Sequence, residues 1–212
     1  MMLIGMYDSP FVRPVAISLN LFKIPFEHAN WSVGKDFDRI RKHNPLGRVP
    51  TLVLDDGEAL LESAAILDYL DEQVGPEHAL LPASGPDRRA VLRAIALANG
   101  AAEKGRDQLY ERAFKPQEKW HQPWIDRCNQ QMHGALGELE RIAAQRSDGS
   151  WIVGSSMTRA DLMITCICTL LSEALDLKLT EQRYSKLGEY VRRCELLPEF
   201  KATYVRWSAP QT

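Results

Sequence analysis

The run Asn44-Pro45-Leu46-Gly47-Arg48-Val49-Pro50-Thr51-Leu52-Val53-Leu54, with Glu62-Ser63 just beyond it, decides how the rest of the chain is read. Asn-Pro and Gly47 make a turn, and the turn delivers the chain to Pro50, which opens an apolar strand over residues 51–54. Asp55-Asp56-Gly57 is a hairpin signal that returns the chain as a second strand over 59–61. A helix follows from Ser63 to Val74, with Ile66, Tyr69, Leu70 and Val74 on one side and Asp68, Asp71 and Glu72 on another. Pro50 has no N–H, so it suits a strand start or a cis turn. In a cis turn the backbone N–H and C=O of Val49 can face a cleft and pair with an extended ligand, as in strand addition. On the residues alone a trans strand start is expected, because only about 5–6% of X–Pro bonds are cis.

Upstream, Leu3 to Tyr7 reads as a strand. Phe11 to Phe22 carries Val12, Val15, Ala16, Leu19 and Phe22 at helical spacing. Pro10 and Pro14 fall at the start of that helix, where a missing N–H costs least. Phe26 to Trp31 is a short second strand, and Asp36 to Lys42 a short charged helix or loop. The order is therefore βαβ-αββα, a small α/β layer over residues 1–75. Residues 76–87, rich in Gly-Pro and Leu-Pro, form a linker. Beyond it strand alternation disappears. Helical patterns cover 87–114, 118–145, 158–175, 181–194 and 198–207, with Lys115-Pro116 breaking the first from the second and Pro123 placed to kink the second. The fold class expected is α+β with two domains, an N-terminal α/β domain followed by an all-α bundle over 88–212.

The chain has 212 residues, 45% apolar and 25% charged, the make-up of an ordinary globular protein. Its net charge of −2 offers no basic field for nucleic acid or an anionic membrane. No apolar run reaches the roughly 18 residues of a membrane span, and the N-terminus lacks the basic and small-residue marks of a secretion signal. Cys128, Cys166, Cys168 and Cys194 have no C-x-x-C spacing and fall in predicted helices, which reads as buried thiols in a reducing compartment. The histidines show no metal spacing, so no metal is expected. A cytoplasmic protein is the expectation.

Met6-Tyr7-Asp8-Ser9-Pro10-Phe11-Val12-Arg13, the Val49-Pro50 and Glu62-Ser63 pair, and Ser155-Ser156-Met157-Thr158-Arg159-Ala160-Asp161-Leu162 stand in one order and spacing. Together they resemble the cytosolic glutathione transferases over nearly the whole chain. The Ser-Pro-Phe start resembles the serine-using branch and its bacterial relatives. The resemblance implies a thioredoxin-like first domain, a cis Pro50, glutathione as co-substrate, no metal, and a homodimer. It also implies an enzyme that joins the glutathione thiolate to small hydrophobic electrophiles.

Residue by residue, the match implies that Ser9 donates a hydrogen bond to the glutathione sulfur. The competing reading is a helix cap, which gives the same sequence. A free thiol has a pKa near 8.5, so only a few per cent is thiolate at neutral pH. Lowering that pKa by about two units stabilises the thiolate by about 2.7 kcal/mol. At the turn where thioredoxin-like oxidoreductases carry C-x-x-C, this chain reads Ser9-Pro10-Phe11-Val12. The sulfur must therefore arrive with a ligand. Ser63 and the helix N-terminus are matched to the γ-glutamyl carboxylate, and Glu62 to the ammonium beside it; Ser63 also reads as a plain N-cap. Arg48, or Lys35, is matched to the glycyl carboxylate, with a solvated surface Arg as the alternative. Phe11 reads as a cleft wall or as core. Arg13 reads as structural, reaching to a helix end or an acidic partner.

Thr158-Arg159-Ala160-Asp161 is a capping box, a folding element. Tyr110, Phe114 and Trp120, with Trp124 nearby, offer an apolar wall for the second substrate, or core aromatics. Other functions open on the same scaffold are a glutathione-dependent isomerase, lyase or dehalogenase, and a non-catalytic binding module. The adjacent serines and following cysteine of the zeta-type isomerases are absent after the first strand.

Overall fold

The structure, a computed structural model, describes residues 1–147, 149–179 and 182–208. It divides into two compact units. One comprises residues 1–83 and the chain from Leu196 onward; the other runs from Ser84 to Glu195.

The first unit is built on strands β1 (Met2–Ile4), β2 (Glu27–Ala29), β3 (Thr51–Val53) and β4 (Ala59–Leu61), with helices α1 (Val12–Leu21), α2 (Phe37–Ile40) and α3 (Ser63–Val74). The sheet order is β2-β1-β3-β4. β1 runs parallel to β2 and antiparallel to β3, and β3–β4 is the hairpin read from Asp55-Asp56-Gly57. This is the thioredoxin-like arrangement. The strands are shorter than the apolar runs that announced them, because the chain turns away from the sheet directly after Ile4 and Ala29. Val12, Val15, Ala16 and Leu19 of α1 are all fully buried, as their spacing requires. Ile4, Ala29 and Ile40 form a second core with Met2, Trp31, Val49 and Val53 packed around it. Each fully buried isoleucine there contributes about 1.5–3 kcal/mol.

Asp71 is a correction. It lies on the expected polar face of α3 but is buried, and its carboxylate accepts hydrogen bonds from the backbone N–H groups of Leu80 (2.9 Å) and Leu81 (3.0 Å). The linker is thereby tied to α3, and Leu80 and Leu81 are themselves buried.

The second unit contains α4 (Gly85–Phe114), α5 (Gln122–Gln145), α6 (Arg159–Ala174) and α7 (Ser185–Glu195). Residues 162–164, 166–168 and 171 of α6 are buried on every side of the helix, the mark of a central element. Its N-terminus carries the capping box. Asp161 is fully buried and accepts from the Thr158 N–H (2.6 Å), the Ile152 N–H (3.0 Å) and the Tyr190 hydroxyl. α5 starts later than the pattern over 118–145 suggests. A 3-10 turn covers Gln117–Lys119, and Pro123 opens α5 in its first turn instead of kinking it. Glu181, where the pattern opens the helix before Cys194, lies outside the described residues.

The expected helix over 198–207 shrinks to α8 (Pro198–Lys201) in the first unit. The Phe200 carbonyl, which a longer helix would offer to the Tyr204 N–H, instead accepts from the Arg13 guanidinium (2.9 Å) and the Thr203 hydroxyl (3.3 Å). Arg13 thus reaches a helix end, as read, and its guanidinium also lies 5.4 Å from the Tyr204 ring centre.

Candidate functional site

The turn between β1 and α1 carries Ser9. The Ser9 N–H donates to the Met6 carbonyl (3.1 Å), which closes the turn. The Ser9 hydroxyl oxygen accepts from the N–H groups of Phe11 and Val12, both at 3.4 Å. So the capping reading is present in the geometry, in a long and weak form. It occupies lone pairs of Oγ and leaves the hydroxyl proton able to donate elsewhere. Cap and donor are therefore compatible roles for one hydroxyl. Phe11 sits at the N-cap position of α1 and is partly exposed, so it is not a core residue.

Gly5 ends β1 with φ +132°, a region open to glycine. A Cβ there would lie 2.5 Å from Val12 Cγ2 and 2.8 Å from Val49 Cβ. The missing side chain is what lets the Val49 loop and the start of α1 meet. The Val49–Pro50 peptide is cis. Among the described residues, the backbone N–H and C=O of Val49 take no hydrogen-bond partner. Asn44 holds that loop from below. It is fully buried, and its amide N donates to the Arg48 carbonyl (2.9 Å) and the Thr51 hydroxyl (3.1 Å), while its Oδ1 accepts from the Leu46 N–H. Sequence reading took Asn44 only as a turn former; an Asx-type side chain before a Pro was the signal for more.

Glu62 has φ +67° and ψ 139°, a conformation that costs a non-glycine residue about 1–3 kcal/mol. It is the N-cap of α3 and makes no side-chain cap bond. This corrects Ser63, which is not the cap but the first residue of the helix, and is 7% exposed. Ser63 is already helical because the Glu62 carbonyl accepts the first helical bond, from the Ile66 N–H (3.1 Å). The opening N–H groups of α3 thus lack a side-chain cap and carry the positive end of the helix dipole. Arg48 and Glu62 are brought together at 3.3 Å, both half exposed. Lys35 stands exposed on the turn before α2.

Two further side chains bear on the Ser9 turn and were not singled out from sequence. The His28 ring stacks on Tyr7 with centroids 3.8 Å apart and planes 6° from parallel. Its Nε2 donates to the Gly5 carbonyl (2.8 Å). Burial raises the Tyr7 pKa. Short mixed-polarity strands such as β2 give little signal for such a contact.

In the helical unit, Tyr110 and Phe114 are exposed (45% and 55%) and meet edge to face at 5.1 Å. The Trp120 indole N–H donates to the Lys115 carbonyl (3.0 Å). The reading of Tyr110 and Phe114 as core aromatics does not hold. Neither they nor Trp120 line a cavity of about 420 Å³ in this unit, which Gln108, Met132, His133 and Tyr184 do.

Comparison with known proteins also finds two parts, the second match running on past Glu195 into the segment that returns to the first unit. Residues 3–78 match the family model for the glutathione S-transferase N-terminal domain, and residues 106–204 that for its C-terminal domain. The chain is 32% identical over 140 residues to the uncharacterized GST-like protein YibF of Escherichia coli K12, covering 66% of this chain and 68% of that one. It is 31% identical over 170 residues to probable maleylacetoacetate isomerase 1 of Drosophila melanogaster, covering 79% and 63%. Among solved structures it is similar to a glutathione S-transferase of Methylobacterium radiotolerans in complex with glutathione sulfonate. The TM-score is 0.88 and the identity 27%, over 100% of this chain and 98% of that one. With family models matched in both parts of the chain and a relative 32% identical over two thirds of it, the chain belongs to the glutathione S-transferase family.

Proposed function

We propose that this protein is a glutathione transferase that joins the glutathione thiolate to small hydrophobic electrophiles, with Ser9 as the catalytic residue. The observation that carries the reading is the Ser9 hydroxyl. Its oxygen is held by two weak backbone N–H bonds at a helix start, and its proton remains able to donate. Donation to a sulfur favours the charged form and so lowers the thiol pKa. Ser9 loses no proton. The nucleophile belongs to the ligand, and holding it in line with the electrophile supplies much of the rate.

Glutathione is assigned as an extended chain along the first unit. Its central backbone pairs with Val49 beside Pro50, in the manner of an added strand. Its γ-glutamyl carboxylate lies at Ser63 and the first N–H groups of α3, where the dipole favours an anion. Its ammonium takes Glu62. The Arg48–Glu62 ion pair is exposed and contributes only about 0–1 kcal/mol, so exchange against a ligand bearing both charges costs little. Arg48, with Lys35, then serves the glycyl carboxylate, and Phe11 walls the cleft. Tyr110, Phe114 and Trp120 are assigned to the electrophile on the strength of the exposure of the first two. The first unit (residues 1–75, with linker 76–87) binds glutathione, and the helical unit from residue 88 provides the second-substrate surface. A cytoplasmic homodimer without a metal completes the reading.

Calorimetry with glutathione tests this assignment. Native protein is expected to bind in the micromolar to millimolar range. Ser63→Ala should lose about 1–3 kcal/mol, through a carboxylate left without its hydroxyl partner. Binding unchanged in Ser63→Ala would remove Ser63 from the site; no heat from native protein at millimolar glutathione would remove the site altogether.

A second reading is favoured by the similarity to a probable maleylacetoacetate isomerase. A glutathione-dependent isomerase uses the same thiolate on a different second substrate. Turnover of maleylacetoacetate without conjugation of aryl halides would select it.

A further inference from the structure

We propose that His28 is a positioning residue, which fixes the Ser9 turn against the Val49 loop and so sets the distance from the Ser9 hydroxyl to the glutathione sulfur. The inference rests on the reading of Ser9 as the hydroxyl that activates the thiol.

The turn hangs on Met6, whose carbonyl accepts the Ser9 N–H at 3.1 Å. His28 grips the residues on both sides of Met6. Its Nε2–H donates to the carbonyl of Gly5 at 2.8 Å, and its ring lies flat on that of Tyr7 at 3.8 Å. A carbonyl partner requires the proton on Nε2, so the bond also fixes the ring's orientation. The two contacts together restrain both the peptide and the side-chain direction of the turn.

Gly5 transmits the restraint. It has no side chain, and Val12 and Val49 close over the place a Cβ would take. Gly5 N–H donates to the Ala29 carbonyl at 3.0 Å, next to His28 on β2. So the glycine that carries the His28 bond is also where the Val49 loop meets the first residue of α1. The Ser9 Oγ is itself bonded to the N–H of Val12. Hydroxyl, loop and helix start therefore share one anchor, and a side chain on β2 holds it. A hydrogen bond to sulfur weakens steeply with distance and angle, so a small drift of this turn costs thiolate stabilisation without removing any group that touches glutathione.

The test reads the thiol pKa of bound glutathione by its thiolate absorbance, with glutathione affinity measured alongside. His28→Phe keeps a ring to lie on Tyr7 but cannot donate to Gly5. His28→Gln keeps a donor but loses the ring. In His28→Phe the bound thiol pKa should rise by about one unit, with the dissociation constant changed less than about threefold. His28→Gln should fall nearer the native value. Should His28→Phe not fold, Tyr7→Leu reads the same shift from the other side of the stack. An unshifted thiol pKa in every folded variant that still binds glutathione overturns the positioning role and leaves the proposed function standing. A native protein that binds glutathione without lowering its thiol pKa overturns both.

Discussion

Gly5 stands where the Val49 loop and the start of α1 meet. Its φ of +132° excludes ordinary side chains, and a methyl group there would strike Val12 and Val49 together. Gly5→Ala therefore combines backbone strain with overpacking. It should destabilise the protein by roughly 3 kcal/mol or more, read as a lowered urea midpoint with an unchanged slope. A loss under about 1 kcal/mol would show that the Val49 loop moves aside freely. The cis Val49–Pro50 bond was legible only through the family resemblance, since the residues alone favour a trans strand start. Ser63 was legible as a residue but not in its role. Both a cap and a first helical residue are written Ser, and only the positive φ of Glu62 separates them. His28 and Asn44 act through contacts across strands and loops, which no local pattern encodes.

At the scale of elements, helical periodicity found α3 at its observed bounds and α1, α4 and α6 with small errors at their ends. It overran where a tertiary contact took a carbonyl away, as Arg13 does at Phe200. It also overran at α5, where Pro123 fixes the first turn. The α4–α5 pair offers an electrostatic prediction. Glu138 of α5 accepts from Arg93 of α4 (2.6 Å) and from Arg141 (2.7 Å). The Arg141 hydrogen bond, then that of Arg93, holds its pKa down to about 2, from an ordinary 4.5. A carboxyl held low in the native state stabilises it above the unfolded value and loses that effect as pH falls toward the folded one. The stability difference between native protein and Glu138→Gln should thus be full above pH 4.5 and shrink as pH falls toward 2. It should also shrink with added salt, since the cluster is solvent-facing. Thermal unfolding across pH checks both; a difference constant down to pH 2 would contradict the assigned pairing.

At the scale of the molecule, four buried thiols and no exposed one leave the protein without a sulfur nucleophile of its own. Burial drives the Cys168 thiol up to about 12 and raises Cys128 and Cys194 as well. The thiol chemistry proposed above therefore takes its sulfur from the ligand and not from a cysteine of the chain. The two-unit plan was legible because alternating strands stop where long helical patterns begin. The return of the C-terminal segment to the first unit was not, since the Arg13 contact spans nearly the whole chain. No helix among the described residues is long and apolar enough to cross a membrane.

Activation of the thiol of bound glutathione is assigned above to Ser9. It is tested most directly by titrating the thiolate absorbance of the complex in native protein and in Ser9→Ala. The native complex should titrate about two units below free glutathione, equivalent to about 2.7 kcal/mol. Ser9→Ala should still bind glutathione but titrate near the free value of about 8.5. A depressed thiol pKa that survives Ser9→Ala would exclude Ser9 as the activating group.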